Sequence, residues 1–205
     1  MAQQTAIDQS LVKALGVLGI WLAAAIAVSG SGILYDPPRP ILPIIIWAPV
    51  VAFLAAVASF QRLRPWILSI DLRWPIAFHI VRAPIGIAFL LMEAAGRLPP
   101  EFAVKAGIGD IVIGVTAIFA IMCVPLLSTV RIRVLLTWNI LGLADILMVI
   151  VVAQRLLFFG DDPKALVELT RFPTLVVPMF VVPLVIITHF VVFAHLWQSR
   201  IGGDR

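Results

Sequence analysis

ILPIIIWAPVVAFLAAVASF, residues 41–60, contains no charged side chain in twenty positions. A helix needs about 20 mostly apolar residues to cross the hydrocarbon of a bilayer. Lipid offers no partner to a free backbone amide, so such a run must close its hydrogen bonds on itself, as a helix does. Working outward from it, five further runs of the same character appear. The full set is Leu11–Ile33, Ile41–Phe60, Trp74–Ala95, Ile111–Val130, Val134–Leu157 and Leu175–Trp197. The expected fold is all-α, a polytopic membrane helix bundle of six transmembrane helices, with residues 1–205 forming a single transmembrane domain.

Composition agrees. Hydrophobic residues make up 62% of the 205 and charged residues 13%, against about half and a quarter in a soluble domain. The net charge of +4 does not point to nucleic acid, because the basic residues are spread through short loops instead of clustered on one solvated face. The expected partner is the lipid bilayer. The single Cys123 lies inside an apolar run and excludes an internal disulfide or a CxxC redox pair. Met1 to Ser10 carries no Lys or Arg, unlike a secretory signal. The first run is therefore read as a retained span, although Ala27 to Gly32 is similar to a cleavage region.

Six spans put both termini on one side. That side holds eight Lys and Arg against six on the other, and its shortest loops, Gln61–Pro65 and Arg131–Arg133, are basic. Short loops weigh most in the positive-inside rule, so both termini are expected in the cytoplasm. The six tryptophans mostly fall near span ends, where interfacial aromatics belong. Asp161-Asp162-Pro163 opens a stretch with Leu166, Leu169 and Phe172 that reads as an N-capped interfacial helix with proline at its first position. Trp66–Ile70 reads as a second surface segment.

The ionisable residues inside the spans carry the functional signal, since buried charge in a membrane is costly and usually faces a bundle interior. On the third span His79, Arg82, Gly86, Glu93 and Arg97 follow at spacings of three, four, seven and four, which places them on one stripe of a helix. The fifth span contributes Asn139 and Asp145, and the sixth His189. Counting rise along each helix puts His79, Arg82, Asp145 and His189 in one layer. Glu93, Arg97 and Asp110 read as a polar cluster at the outer face, with Glu101 and Arg155 near it. Gly107, Gly109, Gly114 and Ala117 give the fourth span a small-residue face suited to close helix contact.

Three functions suit this pattern. The first is small-molecule binding or proton-coupled transport through a pocket between spans three, five and six. There Arg82 supplies fixed positive charge, Asp145 its counter-charge or proton acceptor, and His79, Asn139 and His189 the polar or titratable lining. The second is a b-type haem protein exchanging electrons with quinone, with His79 and His189 as axial ligands. The third is a non-catalytic subunit of a larger membrane complex, alone or oligomeric, whose polar stripe serves packing. No residue is assigned a catalytic role. No HExxH or comparable metal motif is present, and Gly30-Ser31-Gly32 lies at the opposite end from His189.

Leu98-Pro-Pro-Glu-Phe running to Ala106-Gly-Ile-Gly-Asp110, Trp138-Asn-Ile-Leu-Gly-Leu-Ala-Asp145, and Pro178 to His189 resemble a family of small bacterial six-span membrane proteins with no established activity. The resemblance covers about Trp66 to Trp197 and implies a bacterial cytoplasmic-membrane protein. Length and architecture are also similar to the substrate-binding subunits of energy-coupling-factor vitamin transporters. Ala23 and Ala27 supply a small-xxx-small pair in the first span.

Overall fold

The computed structural model describes residues 2–126, 128–162 and 164–203. Pro163, expected at the head of an interfacial helix, and Arg205, counted with the cytoplasmic charges, lie outside the described residues. The chain is an all-α helix bundle, with no strand among the described residues. Its helices are α1 (Ala2–Ser31), α2 (Ile41–Ser59), α3 (Leu63–Ser69), α4 (Arg73–Phe78), α5 (Arg82–Ala94), α6 (Pro100–Met122), α7 (Thr129–Phe159) and α8 (Val182–Gly203). Among the described residues, six segments are long and apolar enough to cross a membrane. Four are α1, α2, α6 and α7; the third span joins α4 to α5 and the sixth opens on a π-turn before α8.

Two compact units divide the chain. One comprises Met1–Ile70 and Val167–Leu184, the other Asp71–Leu166 and Val185–Arg205. In the first, α3 packs on α1 and α2, and the π-turn Val177–Val181 packs on both. Trp21, in mid-span, meets Phe180 edge-on at 5.0 Å. Gly32 turns the chain at φ +70, a conformation glycine adopts without steric cost. Beyond it the Asp36 amide donates to Thr170 Oγ1 at 3.1 Å. Arg171 lies 5.2 Å over the Tyr35 ring and donates to its hydroxyl at 3.0 Å.

The stretch after Asp162 forms turns and a 3₁₀ segment, Val167–Thr170, not the regular helix expected there. Asp162 does cap the backbone, accepting from the Lys164 amide at 2.8 Å. Leu166 and Leu169 are buried, whereas Phe172 is exposed. Pro173 follows directly, and a proline disfavours the α conformation in the residue before it and cannot donate to a helix.

The second unit is held by α6. This helix starts at Pro100, its first-turn proline following Pro99, and ends at Met122. It therefore begins about ten residues before the span expected at Ile111–Val130. Gly107 and Gly109 lie well inside the helix, on the small-residue face expected for the fourth span; Gly107 admits α5 and Gly109 the Asp145 side chain of α7. A Cβ on Gly107 would meet Leu90 Cγ at 2.7 Å, and one on Gly114 would meet Ala83 Cβ at 2.8 Å. Main chains thus nearly touch, which suits helix association in lipid, where packing replaces the hydrophobic effect. Ser128 caps α7 by accepting from the Arg131 amide at 3.3 Å. A core of Ile76, Ile113, Ala117, Leu135, Trp138 and Val192 fills the space beside the polar residues.

Candidate functional site

Within the second unit the third span tightens where its polar residues lie. Between α4 and α5, His79–Val81 forms a single 3₁₀ turn. Pro84 has no amide to close on the Ile80 carbonyl, so regular α geometry is already interrupted here. In a 3₁₀ turn residues i and i+3 eclipse, so His79 and Arg82 project to one side. Both are fully buried, at 0% and 1% exposure.

The Arg82 guanidinium sits between two carboxylates. Its Nε donates to Asp110 Oδ1 at 2.6 Å, one Nη donates to Asp145 Oδ2, and the other reaches the Gly142 carbonyl at 3.3 Å. Asp110 is buried with it, while the Asp145 side chain keeps 15% exposure. A guanidinium carries a fork of five N–H donors and is always charged, so this arrangement satisfies an ion that would be expensive alone. Formally, one positive charge faces two negative ones.

Glycine makes the room. A Cβ on Gly109 would collide with the Asp145 carboxylate, and one on Gly142 would lie 2.7 Å from His189 Cε1. Position 86 is equally tight, since a Cβ there would come 3.0 Å from Asp110 Cβ.

Beside this triad the two histidine rings lie 4.3 Å apart, inclined at 49°, with Trp138 edge-on to His79 at 5.2 Å. Trp138 is no interfacial aromatic: it is buried, and its Nε1 donates to Thr116 Oγ1 at 3.0 Å. Their neighbours fix the tautomers. Asn139 Nδ2 donates to the His189 carbonyl at 3.2 Å, so its Oδ1 is the atom facing His189 Nδ1 at 2.8 Å, and that nitrogen carries the proton. Thr188 Oγ1 donates to the Val185 carbonyl at 2.8 Å, so it accepts from His79 Nε2 at 3.1 Å. The remaining nitrogens, His79 Nδ1 and His189 Nε2, are buried lone pairs with no close hydrogen bond.

This pair does not fit bis-histidine haem ligation. With metal–nitrogen bonds of about 2 Å, two trans imidazoles would hold their centroids about 6 Å apart, on opposite faces of a macrocycle. Rings at 4.3 Å are in mutual contact and leave no space for one. No group of three or more metal-binding side chains occurs among the described residues.

Five residues expected to form a pocket, His79, Arg82, Asn139, Asp145 and His189, thus fall in one buried network. Asp110 joins them and not the outer cluster, because α6 begins earlier than its sequence suggested. Its spacing of three from Gly107 and four to Gly114 was the available signal: the acid shares the small-residue face that meets α5. Glu93 is half-buried and Arg97 exposed beyond the end of α5. At the surface Glu101 pairs with Arg155 and lies 3.8 Å from Lys105. Sequence reasoning missed Thr188 as the partner of His79 and the glycines that seat Asp145 and His189.

A family model described as a domain of unknown function (DUF8737) matches residues 39–197, a stretch that contains the whole network. No curated protein matches the chain, and no solved structure does.

Proposed function

Because the chain belongs to the DUF8737 family, a domain of unknown function, we propose its role from the site alone: proton-coupled binding or transport of a small molecule across a membrane. One observation carries this reading. Arg82 is held between Asp110 and Asp145 inside apolar helices, so the triad is one negative charge in excess unless a proton or cation joins it. An uncompensated charge at membrane depth costs a few kcal/mol or more, and a proton is the simplest compensation. Arg82 is then the fixed positive charge and the two aspartates are alternative proton acceptors. Asp145, the more open of the two, is the one that exchanges with an entering solute. We place the protein in the cytoplasmic membrane of a bacterium with both termini inside, on the strength of its short basic loops.

Inverted vesicles carrying the protein and an established pH gradient test this directly. Solutes are added by class (amines, carboxylates, sugars, vitamins), and loss of the gradient is followed with a fluorescent amine. A coupled solute should dissipate the gradient with wild-type protein and not with Asp145→Asn, which keeps the shape but cannot carry the proton. The companion measurement is infrared difference spectroscopy. A carboxylic C=O band should grow on acidification and be lost in Asp145→Asn or Asp110→Asn. A triad that takes up no proton between mildly alkaline and mildly acid conditions would overturn the reading.

A further inference from the structure

The two bare imidazole nitrogens do nothing in the mechanism above, and they call for an explanation. Buried polar atoms normally have partners, and an orphan is expensive unless it serves a purpose. Here two orphans occur in one pair of touching rings, both of them acceptors, because Asn139 and Thr188 hold the protons on the opposite nitrogens. A pair of acceptors with no donor between them has one missing component, a proton or a group that brings one.

We infer that His79 and His189 form a second station for the proton of the Arg82 triad, so that one proton is shared between the carboxylates and the imidazole pair. The inference rests on the proton-coupled reading and adds where the proton goes. In the transfer an O–H bond of Asp110 or Asp145 breaks and an N–H bond forms at His79 Nδ1 or His189 Nε2. A carboxylate and an imidazolium result, and the charge of the network as a whole does not change. With the proton at either station the network is neutral, since the single excess negative charge of the triad equals the single positive charge of a protonated pair.

Gly142 joins the two stations. Its carbonyl accepts from Arg82 at 3.3 Å, and a Cβ built on it would stand 3.2 Å from His189 Nε2, so the bare nitrogen lies over the residue that also holds the guanidinium. His79 is linked to Arg82 by the 3₁₀ turn. The charged group that faces the pair is Arg82 from α5, whose guanidinium holds Asp110 from α6 and Asp145 from α7; the Gly142 backbone also borders His189. The neutral lining is Asn139, Thr188 and Trp138. His195, further along α8 and half-buried, provides a spectroscopic reference.

The test uses the full chain labelled with [15N]histidine in lipid bilayers. Nitrogen NMR and infrared spectra are recorded over one pH series, with helicity checked for every variant. At alkaline pH the spectra should show opposed neutral tautomers, Nε2–H for His79 and Nδ1–H for His189. On acidification the wild type should gain an imidazolium signal from the pair and a carboxylic band together. Asp145→Asn, or Asp110→Asn if the first does not fold, removes the excess charge and should lose both signals over the same range. His79→Gln and His189→Gln should lose the imidazolium signal while the carboxylic band strengthens, the proton being confined to one station.

A carboxylic band without imidazolium in the wild type overturns this inference and leaves the proton-coupled reading standing. Imidazolium that persists unchanged in both aspartate variants also overturns it, because the pair would then titrate on its own account. Absence of both signals overturns both.

Discussion

The first two spans and the last four differ in how little or how much of their apolar surface the protein itself covers. In α1 and α2 only 11% of the spanning residues are buried, whereas the share rises to 56% in the sixth span. Apolarity is not the cause, since α2 is as hydrophobic as any segment in the chain. What the spanning parts of α1 and α2 lack is ionisable residues and tightly used glycines. No cavity-sensitive contact surrounds Gly16, Gly19 or Gly30, and no ionisable side chain lies within Ala14–Ser31 or Ile41–Ser59. Lipid tails are as apolar as leucine, so hydrophobicity inserts a helix but gives it little reason to choose a protein neighbour. Specific packing in the second unit comes from the two features missing in the first.

The largest effect expected from breaking this contrast is at Arg82. Arg82→Gln leaves Asp110 and Asp145 facing each other without their cation, and removing one member of a buried ion pair costs about 3–5 kcal/mol. Steric-trapping or denaturant unfolding in micelles should show that loss, while Val51→Ala, on an exposed face of α2, should be close to neutral. A stability of Arg82→Gln equal to that of the wild type would mean that the triad does not hold the unit together.

Next in size is a pair of identical substitutions. Gly114→Ala pushes a methyl into Ala83 and should cost about 1–3 kcal/mol as overpacking, whereas Gly19→Ala, with nothing within 4 Å, should cost nothing measurable. Equal costs for the two would remove close approach as the basis of the α5–α6 contact. The smallest effect is Trp138→Phe, which keeps the ring against His79 and loses the bond to Thr116, at about 1 kcal/mol. Thr116→Val in the same background should add little, and full additivity of the two would show that the bond is not made.

The spans were legible because each needs only twenty apolar residues in a row, a signal that survives any uncertainty at the ends. The layer of His79, Arg82, Asp145 and His189 was legible for a related reason: helical phase and rise are fixed, so ionisable residues in parallel helices can be ranked by depth. The start of α6 was not. Gly107 and Gly109 read as a contact face at the mouth of the fourth span, but Glu101 and Lys105 before them are charged, and apolarity alone does not carry the helix back to Pro100. Asp110 was misplaced with that boundary, at the outer face and not beside Arg82. Nor could spacing reveal that Thr188 and Asn139 fix opposite tautomers, because that depends on which carbonyl each side chain has already bonded.

One helix contributes to both the triad and the histidine pair. Asn139, Gly142 and Asp145 follow at intervals of three along α7, a helix of 31 residues without a proline. The third and sixth spans, by contrast, are interrupted by a 3₁₀ turn and a π-turn beside Pro84 and Pro183. Sharp kinks in helices arise at such prolines and bulges, so bending is available to its neighbours and not to α7. One straight rod therefore carries the seat of the guanidinium, at Gly142 and Asp145, and the grip on His189, at Asn139. Their spacing is set by the rise of a single helix, so neither cluster can be repositioned along α7 without the other.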